Sequence, residues 1–220
     1  MTKIGLEIHC QLTKLESKLF CPCKANYREF KPNHNVCPVC MGLPGSLPRL
    51  NQKAVESATS IAMALNCATP EKIAFFRKNY FYPDLPKNFQ ITQLNVYGDM
   101  SVGGEGYVTV EGKKIKIRRI QLEEDPGRLI YEGTSDRTKI TLVDYNRAGT
   151  PLVEIVTDPD FENPRQVRVF LNILSDLLEN LGAIDISLTK EDLIRLAKIF
   201  HQNAVEGDRY PPNGMKRVNL

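Results

Sequence analysis

Ile4-Gly5-Leu6-Glu7-Ile8-His9-Cys10-Gln11-Leu12 alternates without a break. As a β-strand it places Ile4, Leu6, Ile8, Cys10 and Leu12 on one face and Glu7, His9 and Gln11 on the other. A carboxylate and an imidazole two residues apart then point the same way, about 6–7 Å apart at the backbone. That suits two ligands of one hard metal ion, or an acid/base pair. It also suits the wet face of an ordinary antiparallel strand. The decision rests on what the remaining residues bring beside it.

The chain that carries this strand has 220 residues, 42% hydrophobic and 25% charged, the balance of a soluble globular protein with one large domain or two small ones. A net charge of +3 is too small to imply nucleic-acid binding by itself. No apolar run reaches membrane-spanning length, and the first strand begins without a signal-peptide pattern. Of six cysteines, four fall in two close pairs, Cys21-Pro22-Cys23 and Cys37-Pro38-Val39-Cys40. Close pairs across a polar loop make a tetrahedral thiolate site for Zn²⁺, here a ribbon variant because the first pair is CxC. A redox pair, buried thiols, or His34 as a substitute ligand are the other readings. Four thiolates would close the site to chemistry, so its role is structural, and the expected compartment is a reducing cytoplasm.

Farther along, Met41 to Pro48 is rich in breakers and reads as an irregular connector. Asn51 caps a helix whose buried stripe is Ala54, Val55, Ala58, Ile61, Ala62 and Leu65. Phe75 to Lys87 interleaves rings with Arg77, Lys78, Asn79 and Asp84, a composition that suits either a base and phosphates or a packed loop with wet charges. Phe89 to Leu94 alternates as a strand. Residues 98–122 read as antiparallel strands around two turns, Gly103-Gly104-Glu105-Gly106 and Glu111-Gly112. The second strand carries Lys113, Lys114, Lys116, Arg118 and Arg119, the pattern of a solvated face. Glu123, Glu124 and Asp125 follow it; strand parity alone does not decide which glutamate faces Glu7. Leu152 to Val156 is an apolar strand with Glu154 at its centre. Such a carboxylate must be paired, bind a metal or line a cavity. Asn163-Pro164 opens a second helix with stripe Val167, Phe170, Leu171, Leu174, Leu177, Leu178 and Leu181, stopped at Gly182. A short helix is expected over 189–200 and a loosely held end from Glu206.

Four segments occur in a telling order: Gly5-Leu6-Glu7-Ile8-His9, Arg77 to Asp84, Leu122-Glu123-Glu124-Asp125, and Val143 to Ile155. Together they resemble the B-subunit family of the aspartyl/glutamyl-tRNA amidotransferases, with the archaeal E-type relatives as near kin. The resemblance covers about residues 3–182. It implies an α+β fold, mainly antiparallel: a cradle similar to the glutamine synthetase catalytic fold with a zinc insertion at 20–41. It implies a ligase that uses ATP to phosphorylate the side-chain carboxylate of Glu on tRNA-Gln or Asp on tRNA-Asn. Ammonia from a partner amidase then displaces the phosphate. The expected partners are the amidase (A) and small (C) subunits of the amidotransferase and misacylated tRNA, with no membrane. By motif position, Mg²⁺ falls to Glu7, His9, Glu124 and Glu154, with Glu123 as the alternative to Glu124. Lys78, Asn79, Tyr82, Asp84 and Arg147 are candidates to line the ATP and substrate site. Members of the family are longer, and 183–220 does not match their continuation. This chain therefore resembles a truncated member, for which the alternative is a non-catalytic scaffold that binds the amidase or tRNA.

Overall fold

The alternating stretch at the N-terminus becomes strand β1, Glu7–Gln11, in a computed structural model that describes residues 3–93, 100–132 and 140–183. The first strand is shorter than the alternation. Even so, Ile4 still bridges Phe161, and the Leu12 amide donates to Pro151 O at 2.9 Å. The chain divides into two units, Met1–Asp185 and Ile186–Leu220. The second unit lies outside the described residues, and with it the helix expected at 189–200 and the loose end.

In chain order the elements are β1, α1 (Gln52–Ala64), β2 (Phe76–Asn79), β3 (Phe89–Thr92), β4 (Gly103–Val110), β5 (Lys113–Glu124), β6 (Arg128–Glu132), β7 (Ile140–Asp144), β8 (Pro151–Thr157) and α2 (Pro164–Asn180). The architecture is α+β and mainly antiparallel. The central sheet has the order β1-β8-β5-β4, every pair antiparallel, with β2–β3 and β6–β7 as separate hairpins. One face of the central sheet is the core. Ile115, Ile117, Ile120, Leu122, Val153 and Ile155 are fully buried there, each stabilising the fold by about 1.5–3 kcal/mol. α1 packs on β4 and β5 through Ala54, Ala58, Ile61 and Ala62, and α2 packs on β4. Both helices start at an asparagine cap: Asn51 Oδ1 accepts from the Ala54 amide and Asn163 Oδ1 from Gln166. Among the described residues no helix is long and apolar enough to cross a membrane.

Two local features depart from the sequence expectation. Gly103 to Gly106 is not a turn but the start of β4. Its glycines are there because the backbone lies hard against α1. A Cβ on Gly103 would meet Ala62 Cβ at 2.7 Å, and one on Gly106 would meet Leu65 O at 2.6 Å. The second feature is a β-bulge between Ile117 and Arg119, where β5 slips by one residue against β8. Ile115 and Ile117 face the core before the bulge, Ile120 and Leu122 after it. The slip therefore turns Arg119, Gln121 and Glu123 to the opposite face, and Glu124 to the core side. The hairpin β6–β7 had no counterpart in the sequence pattern, and Leu94, expected to end β3, lies outside the described residues.

Candidate functional site

Cross-strand register assembles the site. His9 on β1 pairs with Glu154 on β8, and Glu154 pairs with Gln121 on β5. Glu7 stands two residues before His9 and Glu123 two residues after Gln121, so all five side chains share the face opposite the core. The imidazole is the hub: His9 Nε2 lies 3.8 Å from Glu7 Oε1, 3.8 Å from Glu123 Oε1 and 3.9 Å from Glu154 Oε2. The Glu7 and His9 side chains are 60% and 45% exposed, those of Glu123 and Glu154 only 5% and 11%. The group has a buried floor and an open rim. It lines a cleft of about 440 Å³ with Gln11, Lys78, Tyr80, Gln90, Asp125 and Arg147.

Neighbouring side chains hold the acids in place. Thr92 Oγ1 donates to Glu123 Oε2 at 2.7 Å, and Arg119 Nη2 to Glu154 Oε1 at 3.2 Å. Arg119 Nε also donates to Gln121 Oε1 at 3.2 Å, and the Gln121 amide donates to Gln93 O. At the far wall Arg147 donates to Pro126 O at 2.9 Å and Gly127 O at 2.7 Å, and pairs with Asp125 at 3.5 Å. Gln11 donates to Asp125 and accepts from Arg28 at 3.0 Å.

The charges are mutually dependent. Glu154 and the other acids beside His9 raise its pKa above the usual 6.5, against the opposing effect of burial. His9, then Arg119, hold Glu154 below the ordinary carboxylate range. Burial pushes Glu123 up, opposed by the Thr92 hydrogen bond. Burial likewise pushes Asp125 up against Arg147. Glu7, His9 and Glu154 each offer one ligand atom within 4.8 Å of the others. Ligand atoms on an octahedral cation at about 2.1 Å stand about 3 Å apart when adjacent and about 4 Å when opposed. His9 Nε2 stands 3.8–3.9 Å from all three carboxylate oxygens; only one of them can oppose it on such an ion, so the other two would close by about 0.9 Å to become adjacent ligands.

The predicted residues separate into two groups. Glu7, His9 and Glu154 converge, and Lys78 and Arg147 line the same cleft. Glu124 does not join them. It accepts from Lys87 Nζ at 2.5 Å and from the Ile91 amide at 2.8 Å, on the other side of the sheet, and Glu123 occupies the expected place. The bulge is the physical reason. Asn79, Tyr82 and Asp84 do not line the cleft; Asp84 instead accepts the Gly127 amide at 2.8 Å through its backbone carbonyl. Arg119, read as part of a solvated strand, belongs to the site, whereas Lys114, Lys116 and Arg118 are exposed as expected. Gln11, Thr92 and Gln121 had no signal of their own, apart from the alternation that put Gln11 beside His9, whereas Tyr80 and Asp125 lie within the segments Arg77 to Asp84 and Leu122 to Asp125.

Cys21, Cys23, Cys37 and Cys40 form a second group, their sulphurs all within 4.8 Å of one another. Lys18 is fully buried beneath them, donating to Asn35 O at 2.7 Å and standing 3.8 Å from Cys40 Sγ. The loop is tied to the sheet through Asn146, whose Oδ1 accepts the Asn35 amide at 2.7 Å. His34 is exposed and outside the group. Between this loop and β2–β3 lies a cavity of about 240 Å³ that holds the Lys87–Glu124 pair.

The sequence matches the profile of the GatB/GatE catalytic domain over residues 2–196. It is 52% identical over 188 residues to the B subunit of the aspartyl/glutamyl-tRNA(Asn/Gln) amidotransferase of Methanospirillum hungatei JF-1, a match covering 84% of this chain and 39% of that relative. The corresponding B subunits of Saccharolobus solfataricus and Aeropyrum pernix are each 50% identical, over 84% and 82% of this chain and 39% and 38% of their own lengths. The chain thus spans about two fifths of the curated relatives it matches.

Proposed function

Because the chain belongs to the GatB/GatE catalytic-domain family, we propose that it is the kinase and amide-transfer part of a tRNA-dependent amidotransferase. The substrate is the side-chain carboxylate of Glu on tRNA-Gln or Asp on tRNA-Asn, activated by ATP and then amidated. The observation that carries this reading is the meeting of Glu7, His9, Glu123 and Glu154 from three strands in one polar cleft. These four would hold Mg²⁺, which when bound would neutralise and align the nucleotide phosphates. Glu123 replaces Glu124 in the ligand set. Lys78 and Arg147 put positive charge on the cleft wall to receive phosphate or carboxylate oxygens. Arg147 also fixes the Pro126-Gly127 turn that shapes that wall. Burial of Glu123 and Glu154 keeps water from competing at the floor.

The four cysteines would hold a structural Zn²⁺ that pins residues 20–41 to a cradle spanning 1–182. The cradle is of the glutamine synthetase kind, and the protein works in the cytoplasm. A partner amidase supplies ammonia, and a third, small polypeptide completes the complex.

The test is reconstitution with the partner amidase and mischarged Glu-tRNA, following ATP-dependent amidation and ADP release. Glu154→Gln and Glu123→Gln each lower the rate more than about 100-fold, since loss of a ligand exceeds the 10–100-fold typical of an outer support. Unchanged amidation in both variants removes the metal assignment. Partner binding without any ATP turnover by the unaltered protein favours a scaffold role instead.

A further inference from the structure

Each buried carboxylate at the floor of the cleft has one oxygen already engaged. Thr92 Oγ1 holds Glu123 Oε2 at 2.7 Å, and Arg119 Nη2 holds Glu154 Oε1 at 3.2 Å. The remaining oxygens, Glu123 Oε1 and Glu154 Oε2, are the ones that face His9 Nε2 at 3.8 and 3.9 Å. The two clamps are themselves fixed. Thr92 is buried at the end of β3, and Arg119 is aimed by the bulge and tied to Gln121 Oε1. Glu7 stands on the exposed rim, its Oε1 3.8 Å from His9 Nε2 and a ligand atom within 4.8 Å of Glu154.

Resting on the Mg²⁺ reading of this site, we propose that Thr92 and Arg119 are positioning residues that hold Glu123 and Glu154 to single-oxygen ligation and thereby select a small octahedral cation over Ca²⁺. Mg²⁺ takes one oxygen from each carboxylate in near-ideal octahedral geometry and keeps several waters. Ca²⁺ takes six to eight oxygens and gains from carboxylates that give both of theirs. For Glu123 or Glu154 to give both oxygens, the clamped oxygen must turn toward the ion, which stretches or re-aims the hydrogen bond it accepts from Thr92 or Arg119. The cost is greatest at the buried Thr92 hydroxyl, because Arg119 keeps Gln121 and is part-exposed. The site therefore rejects the larger ion through its supports, not through its ligands. A purely electrostatic role for Arg119 makes a different forecast: removing its charge strengthens both cations alike and leaves their ratio unchanged.

The experiment uses the intact protein with Mn²⁺ as the probe, read by electron paramagnetic resonance and displaced by Mg²⁺ or by Ca²⁺. The quantity read is the ratio of the two displacement constants. The unaltered protein favours Mg²⁺. Thr92→Val and Arg119→Met each shift the ratio toward Ca²⁺ by about three- to tenfold, within the range of outer-support effects, and Arg119→Lys restores part of it. Glu7→Gln weakens both ions and keeps the ratio within about twofold, because no clamp is touched. Arg119 is part-exposed, so Arg119→Met serves where Thr92→Val fails to fold. A ratio unmoved in the folded variants overturns the proposal, as does an unaltered site that takes Ca²⁺ as readily as Mg²⁺. A protein whose bound Mn²⁺ is indifferent to His9→Ala gives a different result: it removes the metal reading itself, and the selectivity proposal falls with it.

Discussion

The four cysteines lie between Cys21 and Cys40, inside one loop, while the acid–imidazole group is drawn from Glu7 to Glu154, across nearly the whole described fold. The first group is closed and largely buried, with Lys18 sealed beneath it. The second has a buried floor, an open rim and a cleft in front of it. A local cluster can be built only by folding its own loop around the ligands, so the ligands and the loop stand or fall together. A cluster built by sheet register needs the sheet first, and the sheet does not need the cluster. The adjacent residues Glu123 and Glu124 mark the divide, one facing each region.

The largest effect should come from removing the proposed Zn²⁺ from the cysteine loop. Chelation, or Cys37→Ser, is expected to cost about 5 kcal/mol and lower the melting temperature by about 15 °C. Calorimetry together with zinc content by mass spectrometry checks this. Glu7→Ala, by contrast, should move the melting temperature by less than about 2 °C, as an exposed rim position does. A protein that loses all zinc and melts unchanged would erase the proposed contrast between the two groups.

Next in size is the buried pair between the two regions. Lys87 and Glu124 have side chains 9% and 5% exposed, and burial raises the Glu124 pKa while Lys87 opposes it. Lys87→Met leaves the carboxylate buried without a partner, at a cost of about 3 kcal/mol. Urea unfolding should show that loss, with Mn²⁺ affinity at the His9 group unchanged. Glu123→Gln should do the reverse. Burial already penalises the ionised Glu123 carboxylate, so the neutral amide should raise the melting temperature by about 2 °C. Cation binding should be lost. If the two variants exchange these outcomes, the facing of Glu123 and Glu124 is wrong and the bulge argument with it.

The same contrast explains what was legible before the fold was known. Alternation marked β1, and the asparagine caps at Asn51 and Asn163 marked both helices, because these signals are local. Cysteine spacing marked the loop for the same reason. The glutamate that faces His9 was not legible, because one extra residue at Arg118 reverses the parity of everything after it. A bulge has no composition of its own. Gly103 to Gly106 misled in the opposite way. Its glycines serve a close approach to α1, and only the packed pair shows that need. Arg119 was hidden among four other basic residues of the same strand, and β6 had too little alternation to separate it from a loop.

The smallest effect is the pH dependence of cation stabilisation, and it separates the two regions without any mutation. In the cation-free protein the acids around His9 raise its pKa above 6.5. The stabilisation this brings is fully present below about 6.5 and is lost as pH rises through the folded value. A divalent cation needs the imidazole neutral, so it binds in the window where the proton has left. Glu123, raised by burial, adds a second competing proton, whereas Glu154, held low, adds none in this range. Mg²⁺ at about ten times its dissociation constant at pH 8 should therefore add about 1.4 kcal/mol. Two units below the His9 value the gain should vanish, with affinity falling about tenfold per unit. Melting temperatures with and without Mg²⁺, from about pH 8 down to about two units below the His9 value, measure it. A gain that is flat with pH would mean that the ion binds away from His9. A gain that survives in Glu7→Ala but vanishes in His9→Ala would place the imidazole, rather than the exposed rim carboxylate, at the centre of the group.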